Sequence, residues 1–136
     1  IALAFGGNPI MEPRQIALEV SRNTRLKFFD AGNCRMGNGE LGAIATNRSI
    51  ESLGLEGNLF DIRGLRMLVP NRMLRSLKLG DNDRLFDDSA TLLSSMTWLT
   101  ELEVGGIPFG DDGFVVLAEL YRRGVRVEAD WPAGLP

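Results

Sequence analysis

The stretch IESLGLEGN, residues 50–58, is answered by LRSLKLGDN, residues 74–82. The two lie 24 residues apart and share the frame φxxLxLxxN, with φ apolar. Extended backward, the frame finds Leu26, Phe29, Ala31 and Cys34. Extended forward, it finds Leu99, Leu102, Val104 and Ile107. A first copy shows as Leu3, Phe5 and Asn8, so the copies start about 26, 24, 24 and 25 residues apart. Repeats at such a period decide the architecture before any single element is named.

The second half of each unit recurs as well. Ala17, Val20 and Asn23 return as Leu41, Ile44 and Asn47, then as Leu65, Leu68 and Asn71. Ala90, Leu93 and Met96 follow, with Met in the Asn slot, and Phe114, Leu117 and Leu120 end the series. The LxL alternation has period two and predicts a short strand with one buried face. The later apolar residues, three or four apart, predict one face of a helix. Asp87-Asp88 and Asp111-Asp112 are expected to cap helix starts and complement the dipole. Asn23, Asn47 and Asn71 fall where helices should stop, as left-handed C-caps. The Asn after each strand is expected to bond neighbouring backbone at the turn, with Cys34 in the same slot.

A strand and helix of about 24 residues cannot bury their apolar faces alone, whereas stacked copies can. The predicted fold is therefore α/β: a curved solenoid with a parallel sheet on the concave side and helices on the convex side. These units resemble leucine-rich repeats of the helix-bearing, ribonuclease-inhibitor-like kind. LGAIATNRSIESLGLEGN, residues 41–58, is similar to the GALA-type repeats of bacterial plant-pathogen effectors. The expected domain covers residues 1–130, with repeats starting near 1, 26, 50, 74 and 99 and a final strand over 125–127. Residues 131–136 are expected to form a terminal cap or a linker. Ile107 in place of Asn, and Pro9 and Pro13 with two extra residues in the first unit, depart from the pattern.

Bulk composition narrows the function. At 136 residues and 44% apolar content the chain can build one folded core. Fifteen basic against eighteen acidic residues give a net charge of −3, no footprint for nucleic acid. No apolar run approaches membrane-spanning length. One cysteine, Cys34, excludes an intrachain disulfide and fits a reducing compartment, the host cytoplasm where the effector resemblance applies. Without histidine, the commonest general base and a favoured metal ligand are missing. The chain opens at Ile1 with no signal-peptide pattern and is expected to be a piece of something longer.

Several motifs tempt. GNGELG, residues 37–42, matches GxGxxG, yet a dinucleotide site needs its glycines at a strand end and a longer helix than the ten or so residues left here. DNDRLFDD, residues 81–88, resembles a calcium loop but carries Phe86 at its sixth position and Leu92 at its twelfth. Cys34 has no histidine partner and reads as a buried structural thiol. Arg22, Arg25, Arg48, Arg72 and Arg75 recur at one corner, either a solvated edge or a docking edge for an acidic partner.

Strand residues flanking the buried positions should point to the concave side. Phe28, Asp30, Glu56, Lys78, Glu101, Glu103, Arg126 and Glu128 are the candidate contact residues there. Phe28 is expected to face solvent and Phe29 the core, and exposed aromatics are enriched at interface hot spots. Trp98 is expected to pack laterally and Trp131 to cover the end of the core. The expected function is protein–protein recognition without catalysis, metal or cofactor. By resemblance this would be the repeat segment of a bacterial effector engaging host proteins and selecting targets for ubiquitination. The alternative is a scaffold or regulatory segment of a larger enzyme, such as a ubiquitin-ligase-type effector, packing on its own catalytic domain.

Overall fold

The computed structural model describes residues 2–4 and 12–136. The expectations for Phe5, Asn8 and Pro9, and for an uncapped end at Ile1, lie outside the described residues. Among the described residues, strands and helices alternate strictly: β1 (Ala2–Ala4), α1 (Pro13–Arg22), β2 (Phe28–Asp30), α2 (Asn38–Ile44), β3 (Ser52–Gly54), α3 (Ile62–Leu68), β4 (Ser76–Lys78), α4 (Asp87–Ser94), β5 (Glu101–Glu103), α5 (Asp111–Arg122) and β6 (Arg126–Glu128). The strands form one parallel sheet in sequence order, β1 to β6.

Register follows the repeat. Phe29 pairs with Leu53, Leu53 with Leu77, Leu77 with Leu102 and Leu102 with Val127. These middle residues are buried and join one apolar cluster with the helix residues Ala17, Val20, Leu41, Ile44, Leu65, Leu68, Ala90, Leu93, Leu117 and Leu120. The sheet therefore has a helix-covered face and an open one. Trp131 packs on the last unit, its ring 6.1 Å from that of Phe114 and 6.4 Å from that of Tyr121.

Where the chain leaves each strand, Asn33, Gly57, Asp81 and Gly106 form a column of left-handed residues, with φ of 55°, 62°, 58° and 78°. The next position is the repeat's asparagine slot, held by Asn58 and Asn82 in two units and by Cys34 and Ile107 in the others. Asn58 and Asn82 are buried, and their side chains bond backbone of their own turn and of the preceding unit. Cys34 is buried in the same slot, its thiol donating to Gly32 O at 3.4 Å.

Three local expectations are corrected. Asn23, Asn47 and Asn71 are not left-handed caps: Asn23 is extended, and the other two are absent from the positive-φ residues. Instead Asn47 Nδ2 donates to Val20 O and Asn23 O, and Asn71 Nδ2 to Ala45 O and Asn47 O. A buried amide that satisfies two carbonyls of the preceding unit outweighs a local cap. Asp87 and Asp111 are the first helical residues, the caps being Phe86 and Gly110. Both acids still complement the dipole, and Asp87 Oδ1 accepts the Gly110 N–H of the next unit at 2.7 Å. The last strand is Arg126–Glu128 rather than 125–127, because the Val125 N–H is drawn back to Leu120 O at the end of α5.

Candidate functional site

The open sheet face carries side chains with no part in the core. Its first row, in register, is Phe28, Ser52, Ser76, Glu101 and Arg126. Its second is Asp30, Gly54, Lys78, Glu103 and Glu128. Strand alternation sends both rows away from the helices. Phe28 is 56% exposed while Phe29 beside it is 1% exposed, so the aromatic pair sits in the expected register.

Polar contacts divide the face. At the β6 side, Glu101 Oε2 accepts from Arg126 Nη1 at 3.1 Å and its Oε1 from the Ser76 hydroxyl at 3.2 Å. At the β2 side, Asp30 Oδ1 turns back to accept the Gly32 N–H at 2.9 Å. Between them lies Glu56, just beyond β3 and half-buried, with Gly32 and Gly80 as its neighbours across the sheet. No protein donor reaches its buried Oε1 among the described residues. Burial above all, then Glu103 and Asp30, pushes the Glu56 carboxyl above the usual range; Asp81 adds to this and Lys78 opposes it. Lys78 and Glu103 enter no ion pair among the described residues.

All eight candidate residues lie on or beside this face, though they form no single cluster: Phe28 and Asp30 stand at one end, Arg126 and Glu128 at the other. Sequence reading placed Glu56 there but did not foresee its orphaned oxygen. The glycines at 32, 54 and 80 were the available signal, since only small neighbours let a carboxylate lie down on the sheet. Among the described residues no three Asp, Glu or Cys side chains converge as metal ligands.

Other motifs find structural uses. The Gly37 N–H is taken by the Glu40 carboxylate at 3.2 Å, and α2 has only seven residues, shorter than expected. That arrangement occupies the amide which a phosphate would need. At the arginine corner, Arg48 donates to the carbonyl of Ala45, the C-cap of α2, and Arg75 to Arg72 O in the turn after α3. The Arg72 guanidinium lies 5.0 Å from the Trp98 ring centroid.

Comparison with protein-family models and with curated proteins gives no match for this chain.

Proposed function

We propose that the chain is a leucine-rich-repeat solenoid acting as a protein–protein recognition module, with the open sheet face as its concave contact surface and no catalysis of its own. One observation carries this reading. In β2 to β6 the middle residue is committed to the core, while the flanking ones vary in size and charge. A constant inner row with a variable outer surface is what recognition by stacked units requires. Exposed Phe28 adds the kind of anchor that concentrates binding energy. The likeness of residues 41–58 to GALA-type repeats supports assigning the module to a bacterial effector that engages host proteins.

The test is affinity capture from plant lysate. Wild type is compared with the triple variant Phe28→Ala, Glu101→Lys, Glu103→Lys, its fold first verified by circular dichroism. A protein held by wild type and lost by the variant supports the assignment. Equal capture by both moves the contact surface to the arginine corner or the helices. An empty capture favours a scaffold packing on its own catalytic domain.

A further inference from the structure

We infer that the open sheet face receives a basic, extended segment of a partner protein, seating an arginine or lysine side chain over Glu56 between Asp30 and Glu103. This rests on the recognition reading and names the chemistry of the partner.

Charge complementarity selects the occupant. Glu101 is already matched by Arg126 at 3.1 Å. What remains on the face is Asp30, Glu56, Glu103 and Glu128 against Lys78 alone. An acidic or neutral segment would add repulsion or leave these carboxylates buried without partners, whereas a cation offsets both costs.

Glu56 locates the contact, because it stands half-buried beside both Glu103 and Asp30. Its Oε1 is enclosed by the protein with no donor among the described residues, and a turn of the carboxylate toward the open face gives that oxygen the donor a polar atom ordinarily has. A guanidinium offers five N–H donors in a planar fork, and an ammonium offers three. Burial and its acidic neighbours raise the Glu56 carboxyl, and a cation seated beside it would draw it down again.

Glycines set where the acids lie. A side chain at Gly54 would meet Asp30 Oδ1 at 3.0 Å, and one at Gly80 would meet Gly105 O at 2.9 Å and the Glu56 stem at 3.8 Å. The glycines therefore let Asp30 and Glu56 lie along the sheet, where a cation laid on the face meets both. Phe28, two residues before Asp30 on β2, presents its ring to an aliphatic or cationic stem.

The probe is a display library of random dodecapeptides selected on the immobilised wild-type chain, the best binder then being titrated by fluorescence anisotropy. The expected binders are enriched in arginine or lysine and weaken with added salt. Their Kd should rise about tenfold or more in Glu56→Gln and in Glu103→Gln, the loss of a charge-assisted contact. Both variants are checked for fold by circular dichroism, and either one alone suffices. Binders without basic residues, or binding unchanged in both variants, overturn the inference; if Phe28→Ala still abolishes binding, the recognition face itself stands. A selection that yields no binder also overturns it.

Discussion

The side-chain oxygen of Asn82 accepts the backbone N–H of Asn58 at 2.9 Å, linking two residues 24 positions apart. Asn58 repeats the device one unit earlier, accepting from Cys34 N at 3.1 Å and Met36 N at 2.8 Å. Each amide nitrogen meanwhile closes its own turn, as Asn82 Nδ2 does on Leu79 O at 2.7 Å. The interior therefore contains polar chains as well as apolar layers, and each repeat unit supplies bonds that its neighbour needs.

Asn82→Ala should destabilise the chain by about 2–4 kcal/mol in urea denaturation, because it strands buried backbone groups on two units at once. Asn58 N and Leu79 O lose their Asn82 partner, while Leu55 O keeps the Asn58 amide. A cost under about 0.5 kcal/mol, the range of an ordinary surface change, would mean that the chain of bonds is dispensable.

Trp98 takes over where the other corner lacks its asparagine. Asn47 donates to Asn23 O and Asn71 to Asn47 O, but Met96 occupies the next slot. The Trp98 Nε1–H donates to Asn71 O at 3.1 Å instead. Trp98→Phe keeps a ring near Arg72 and should cost about 1 kcal/mol by thermal unfolding, the net value of one hydrogen bond. Trp131→Phe is the control: with ring contacts alone it should cost less, and the reverse order would remove the assigned role from Trp98.

The frame φxxLxLxxN made the strands, their order and their register legible, since a buried middle residue must recur once per turn of the chain. The indole donor was not legible, because Trp98 stands two residues after the slot it serves. Nor was the left-handed column. Asn33, Gly57, Asp81 and Gly106 share a backbone conformation rather than a residue type, and hydrophobic spacing carries no trace of it. Glu56 was visible as an outward carboxylate, but its missing donor depends on the glycines of two other units.

The column predicts a contrast between two glycines. Gly57 has φ of 62°, and a Cβ there would collide with Asn33 Oδ1. Gly57→Ala should therefore destabilise by more than about 1 kcal/mol, combining left-handed strain with a clash. Gly39, near the start of α2, has nothing within 4 Å of an added Cβ. Gly39→Ala should stabilise by about 0.5 kcal/mol through helix propensity. Equal effects in chemical denaturation would show that the column imposes no steric demand.

Glu56→Gln should raise the melting temperature at pH 7 and leave it nearly unchanged at pH 3. The folded carboxyl titrates above its ordinary 4.5, with burial first among the causes. The surrounding ionisable groups are Glu103, Asp30, Lys78 and Asp81, the lysine alone opposing the shift. Between the ordinary value and the raised one, the folded chain binds more protons than the unfolded chain. Stability therefore falls as pH rises through that window, and the ionised group is a burden above it. Glutamine removes the charge and with it this penalty, so the two proteins should diverge on going from acid to neutral pH. A variant less stable than wild type at pH 7 would show that Glu56 is already satisfied in solution. A variant more stable, yet weaker for basic peptides, would identify a residue whose value lies in binding and whose cost is borne by the free fold.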